Sequence, residues 1–253
     1  MKRILDFTVV GKEDFGRASW LRLKADEPLP DMVPGQFAQV LVEDSPKTYL
    51  RRPISIHDVD ETAREVSFLV QKVGEGTRRL AEAPEGQKLN VVLPLGHGFS
   101  MEPVQGNVLL VGGGIGIAPL FLLAKRMRAN GMRPQLLLGG KTASDLIRLK
   151  DYQALGETFV TTEDGSLGEK GFVTQHSVWK QRQFARLCVC GPKPMMKAVA
   201  ALAQEKDIPC EVSLENLMAC GLGACLCCVE DTVDGHLCVC KEGPVFNTRR
   251  LKW

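Results

Sequence analysis

Aromatic residues are scarce in this chain: Phe, Tyr and Trp make up 6% of 253 residues, and only two are Tyr. A net charge of +2 offers no basic field for a phosphate backbone, and no basic stretch is interleaved with stacking rings. Nucleic acid is therefore not an expected partner. Histidines number four, His57, His97, His176 and His236, and they form no triad or metal motif, so no residue is assigned a catalytic role. The chain also lacks an apolar run of membrane length. Its longest uncharged stretch, residues 108–124 "VLLVGGGIGIAPLFLLA", falls short of the roughly 20 residues a membrane helix needs, and glycines and a proline interrupt it. It reads better as a buried strand, a glycine turn and a buried helix, so no membrane span is expected. The opening "MKRILDFTVV" meets Asp6 after two apolar residues, which breaks a signal-peptide core. The expected compartment is the reducing cytoplasm, where disulfides are rare and clustered thiols bind metal or do redox work.

Clustered thiols are what the chain does have. Six of its nine cysteines lie between Cys220 and Cys240, in "CGLGACLCC" and "CVC". Cys220-x4-Cys225-x2-Cys228 has the three-ligand spacing of plant-type [2Fe–2S] ferredoxins, which take a fourth cysteine further on, here Cys238 or Cys240. Gly221 and Gly223 let backbone N–H groups turn toward cluster sulfurs. A structural zinc site from Cys225, Cys228, Cys238 and Cys240 is the alternative, and it leaves Cys220 and the glycine loop without a purpose. Cys188 and Cys210 read as packing residues in strands.

Three regions follow one another. Residues 1–102 hold short alternating segments, "WLRLK", "FAQVLV", "EVSFLVQKV" and "KLNVVLP", separated by turn signals such as "VPGQ", "EDSPK" and "APEGQ". This pattern predicts an antiparallel barrel or sandwich. Residues 103–212 alternate continuous apolar strands, "NVLLV", "QLLLGG", "ETFVTT" and "RLCVCG", with helices in "APLFLLAKRMRAN" and "KPMMKAVAALAQEK". That is the pattern of a parallel α/β sheet. Residues 213–253 fit neither pattern and read as a small appended module carrying the cysteines.

"LLVGGGIGIAPL" carries Gly112, Gly113, Gly114 and Gly116 from a strand into a helix, as a pyrophosphate-binding turn does. The third glycine of the dinucleotide pattern is replaced by Pro119. In order along the chain, "RRPIS" (residues 51–55), "GEGT" (74–77), this loop and "CGP" (190–192) resemble the ferredoxin–NADP reductase superfamily. The resemblance implies a six-stranded antiparallel flavin barrel followed by a nucleotide-binding sheet. It implies FAD held by Arg52 at the pyrophosphate, by Pro53, Ile54 and Ser55 at the ring, by the backbone of Leu69, Val70 and Gln71, and by Gly76 and Thr77 at the phosphates. It further implies NAD(H) as substrate, over the glycine loop and Cys190, Gly191 and Pro192. Ile54 departs from the family, whose members often carry an aromatic residue there.

"ENLMACGLGACLCC…CVCKEGPVF" is similar to the C-terminal segment of the electron-transfer subunits of NAD-linked, class 1B, dihydroorotate dehydrogenases. That resemblance puts the fourth ligand at Cys240, making the set Cys220, Cys225, Cys228 and Cys240, with Cys227 and Cys238 as extra thiols. It implies a wire from NAD(H) through FAD and a [2Fe–2S] cluster to an FMN-containing catalytic partner, in a heterotetramer with two of each chain, serving pyrimidine biosynthesis. Subunits of other redox complexes share the three modules and remain the alternative within the class. For the nicotinamide, "GGKTASD" has no acidic residue at the strand end to take a ribose hydroxyl, and Lys141 suits a 2′-phosphate, while the family favours NAD.

Overall fold

The computed structural model describes residues 1–43 and 45–253. Asp44, within the turn signal "EDSPK", lies outside the described residues. The chain divides into two compact units.

The first unit holds residues 1–98, 215–230 and 236–244. Six strands, β1 (Arg3–Asp14), β2 (Ala18–Ala25), β3 (Phe37–Val40), β4 (Arg52–Asp60), β5 (Glu65–Gln71) and β6 (Lys88–Leu95), close into an antiparallel barrel in the order β1-β2-β5-β4-β3-β6. Alternation drives it. In β1, Leu5, Phe7 and Val9 are buried while their neighbours face outward, and Leu21, Leu23, Phe68, Val91 and Leu93 complete the core. Truncating a fully buried Phe68 in such a core costs about 3–5 kcal/mol. Register shifts between Val9 and Gly11, Phe37 and Gln39, and Ile56 and Asp58 bend the strands for closure. All four residues of β3 are buried, so both of its faces are covered. Helix α1 (Glu75–Ala81) follows β5. The Thr77 hydroxyl accepts the N–H groups of Val73 and Gly74 at 3.1 and 3.0 Å and so fixes the turn at its start.

The second unit holds residues 99–214, 231–235 and 245–253. Its seven-stranded sheet is built from β7 (Val108–Gly113), β8 (Pro134–Gly140), β9 (Thr158–Thr162), β10 (Glu169–Lys170), β11 (Arg186–Cys190), β12 (Cys210–Ser213) and β15 (Val245–Asn247). Helices α2 (Ala118–Ala129), α3 (Leu149–Leu155), α4 (Val178–Gln181) and α5 (Lys193–Glu205) connect the parallel strands, and the order is β10-β9-β8-β7-β11-β12-β15. Every residue of β7 and β11 is buried, as the unbroken apolar runs predict. Strand order reverses at β7, which pairs with β8 on one side and β11 on the other. In open α/β sheets ligands bind beyond the C-terminal ends of the strands at such a reversal. The two loops singled out in the sequence, after β7 and after β11, both sit there.

Within residues 213–253, expected as one appended module, strands β13 (Val229–Thr232) and β14 (Gly235–Cys238) make a two-stranded sheet, and α6 (Val239–Glu242) is a single turn. The three residues of β15 pair antiparallel with β12 and bury Val245 and Phe246, so the chain end groups with the sheet, while most of the cysteine segment groups with the barrel. Among the described residues no helix is long and apolar enough to cross a membrane.

Candidate functional site

The flavin motif runs into the start of β4. In register, Arg52 pairs with Val40, Pro53 with Gln39, Ile54 with Ala38 and Ser55 with Phe37. Arg52 donates from Nη2 to the Leu50 carbonyl at 2.9 Å, and its Nε is buried with no hydrogen-bond partner among the described residues. A buried guanidinium N–H without an acceptor is costly, and a phosphate oxygen is the acceptor that suits it. Gly76 lies against this arginine: a Cβ there would stand 3.2 Å from Arg52 Cδ and 2.8 Å from Thr48 Cγ2. Thr48 thus joins Arg52, Gly76 and Thr77, and no sequence signal had pointed to it. Leu69 and Val70 are buried in β5 opposite Trp20 and Ser19, while Gln71 is exposed opposite Ala18. His97 is exposed, and its backbone N–H donates to the Gly243 carbonyl at 2.6 Å.

At the sheet reversal, the glycine loop is packed backbone on backbone. A Cβ on Gly116 would stand 2.5 Å from Gly191 Cα and 2.5 Å from Gly191 N, and one on Gly113 would meet Met195 Sδ at 2.4 Å and Pro192 Cδ at 3.2 Å. Gly112 has no room either, with Ile117 Cγ2 at 2.9 Å. Gly114 differs: its φ is +55° and nothing lies within 4 Å of a Cβ built there. The turn therefore leaves open space directly before the short helical turn Gly114–Ile117 and α2, with Pro119 buried in the first turn of α2. Cys190 is buried at the end of β11, and Pro192 precedes α5. The sheet brings the loop after β7 against the loop after β11, Gly116 against Gly191 and Gly113 against Pro192. Lys141 is exposed after β8, and the Asp145 carboxylate accepts the N–H groups of Lys141 and Thr142 at 2.8 and 3.1 Å.

The cysteine segment lies in the barrel's unit. Gly221, Gly223 and Leu226 take φ of +69°, +85° and +58°, which turns the loop back on itself. As a result its N–H groups point at sulfur. Leu222 N–H donates to Cys220 Sγ at 3.3 Å, Gly223 N–H to Cys240 Sγ at 3.1 Å, and Cys240 N–H to Cys228 Sγ at 3.3 Å. The Leu222 N–H lowers the Cys220 thiol to about 6, favouring the thiolate a metal ligand must be. Burial, with Cys228 beside it, pushes Cys240 up to about 12. Cys238 is raised by burial as well, and its sulfur faces the Gly223 carbonyl at 3.9 Å.

Cys225 lies beside Cys220 and Cys228 beside Cys240, and Cys240 also feels Cys220. A two-iron cluster on four cysteines needs thiolates and tolerates N–H donors to its sulfurs. Four cysteines in one segment, with N–H groups aimed at three of their sulfurs, fit that group.

Comparison with known proteins agrees with these readings. Residues 215–252 match the model of the iron–sulfur cluster binding domain of dihydroorotate dehydrogenase B, and residues 110–201 match the oxidoreductase NAD-binding domain. The chain is 42% identical, over 87% of each sequence, to the electron transfer subunit of dihydroorotate dehydrogenase B (NAD(+)) from Lysinibacillus sphaericus. It is 37% identical to the Bacillus pumilus subunit of that name, over 99% of this chain and 98% of the relative. A structure described as an NADH-dependent reduced ferredoxin–NADP oxidoreductase, studied for flavin-based electron bifurcation, superimposes with a TM-score of 0.89 at 30% identity, over 98% of this chain and 90% of that one. The ferredoxin reductase of carbazole 1,9a-dioxygenase shares the fold alone, with a TM-score of 0.69 at 22% identity over 82% of this chain and 67% of the other. A flavin-type barrel, a dinucleotide turn and a sulfur-directed loop thus stand in one chain with these relatives, and the chain belongs to the family of electron transfer subunits of dihydroorotate dehydrogenase B.

Proposed function

We propose that the chain carries electrons between NAD(H) and an FMN-containing catalytic subunit that oxidises dihydroorotate to orotate, in the cytoplasm, within an assembly of two copies of each chain. A nicotinamide exchanges electrons in pairs, an iron–sulfur cluster carries one at a time, and a flavin does both. The residues divide that work. Arg52, with its unmatched Nε, holds the flavin pyrophosphate beside Gly76 and Thr77. Pro53, Ile54, Ser55, Leu69, Val70 and Gln71 line the ring. Gly112, Gly113, Gly114 and Gly116 receive the dinucleotide, and Cys190, Gly191 and Pro192 border the nicotinamide. Cys220, Cys225, Cys228 and Cys240 ligate the cluster.

The observation that carries this reading is the direction of the loop N–H groups. They point at Cys220, Cys228 and Cys240, a placement that stabilises added negative charge on sulfur. The partner is supported by what surrounds the loop. Leu217, Leu222 and Leu226, close in sequence to Cys220 and Cys225, are 86%, 51% and 65% exposed, apolar side chains that burial against another subunit would cover.

Three serine variants test the ligand set. Cys240→Ser is expected to remove most of the iron, while Cys238→Ser and Cys227→Ser keep it. Iron lost from Cys238→Ser and retained in Cys240→Ser overturns the assignment. The chain separated from its partner is expected to oxidise NADH with artificial acceptors and to leave dihydroorotate untouched.

A further inference from the structure

Gln39 lies in the middle of β3 and is 1% exposed. Neither its Oε1 nor its Nε2 has a hydrogen-bond partner among the described residues. A primary amide buried with both ends unmatched is rare, because it has given up its bonds to water and gained none. The backbone does not share the defect: the Gln39 carbonyl accepts from Arg51 Nη1 at 3.3 Å. The side chain is aimed at the cysteine loop. A Cβ on Gly221 would stand 2.9 Å from Gln39 Nε2 and 2.8 Å from its Cγ. Gly221 directly follows Cys220. On the strand itself, Gln39 pairs with Pro53, and Phe37 with Ser55. Paired residues, and residues two apart, project from the same face of a sheet. Gln39 therefore shares a face with Pro53 and Ser55 of the flavin motif and lies against the loop that carries the first cysteine ligand.

We propose that Gln39 is a positioning residue of the iron–sulfur centre, its amide N–H being donated to the Cys220 side of the cluster from the flavin-bearing face of the barrel. This rests on the ligand assignment above. A four-thiolate cluster is anionic in both oxidation states and gains one further negative charge on reduction. A fixed N–H donor favours the more negative state and so raises the reduction potential. The loaded centre supplies the acceptor that the buried amide otherwise lacks.

The test uses the full chain carrying FAD and iron, with Gln39→Met, Gln39→Leu and Gln39→Glu. Met matches the length of Gln without the amide, and Glu matches its shape with an added carboxylate. Iron content, the electron paramagnetic resonance spectrum of the reduced chain and the midpoint potentials of cluster and flavin are measured. Met and Leu are expected to keep the iron, to shift the cluster potential to more negative values and to change its g-values, with the flavin potential unmoved. Glu is expected to shift the cluster further in the same direction. An iron-replete Met variant with the parent potential and spectrum overturns the proposal. So does loss of iron from Met and Glu alike with FAD retained, which makes Gln39 a packing residue. Failure of the ligand assignment shows separately, as iron that survives Cys220→Ser.

Discussion

Glycine does different work in the two loops that matter here. In the dinucleotide loop, Gly116 is required for closeness: a methyl there runs into the backbone of Gly191 at 2.5 Å, in a region where nothing flexible can give way. In the cysteine loop, Gly223 is required for direction. Its φ of +85° turns its own N–H onto Cys240, and a Cβ there would meet the Lys241 side chain, which is able to move aside. One glycine makes room and the other makes a bend. The comparison teaches that a glycine-rich stretch is not one signal but two, and that they fail differently when a methyl is added.

Alanine substitutions separate them, beginning with the largest expected effect. Gly116→Ala forces two backbones apart, an overpacking cost of about 1–3 kcal/mol or more. The KM for NADH is expected to rise about tenfold or beyond, with iron content unchanged. Steady-state kinetics with an artificial acceptor and an iron assay check both halves. Unchanged NADH kinetics would mean the loops separate freely, and the distinction drawn here would collapse. Gly223→Ala puts a side chain in the left-handed region, at a cost of about 1–2 kcal/mol. It is expected to lower iron occupancy or speed iron loss to a chelator several-fold, while NADH oxidation by a flavin-directed acceptor stays at the parent level. Gly114→Ala is the mildest. Its φ is also positive, yet no described protein atom lies within 4 Å of an added Cβ, so folding bears only the conformational cost of about 1–2 kcal/mol, and any further effect falls on NADH binding. Thermal melting is expected to fall by a few degrees, with iron content intact. A fall as large as that of Gly116→Ala would show that the open space at Gly114 is not open.

The sequence discloses what is written contiguously. Alternation in "WLRLK" and "EVSFLVQKV" announces the barrel, unbroken apolar runs announce the parallel sheet, and the cysteine spacing announces its chemistry. Features made by juxtaposition stay hidden. Thr48 and Gln39 sit in segments with no motif, and each acquires meaning only when a distant glycine, Gly76 or Gly221, is folded against it. Strand β4 is masked for another reason. Its first four residues are all half-buried, so the period of two that would reveal a strand is absent where the flavin motif lies. β15 is three residues long, too short for any periodicity, and only its pairing with β12 reveals it.

The path of the chain through the two units limits how this protein can be taken apart. The polypeptide leaves the barrel unit after Gly98, re-enters it at Glu215, departs at Asp231, re-enters at His236 and departs for good at Val245. A redox segment threaded in this way is no cassette. A stop codon after Leu214 would strip the cysteines from one unit and, with them, the last strand from the other. A gene fusion that borrowed residues 215–252 alone would carry ligands without Gln39 and β15 without the β12 edge it pairs with. The chain crosses between the two units five times, so changing its cluster means changing residues in place.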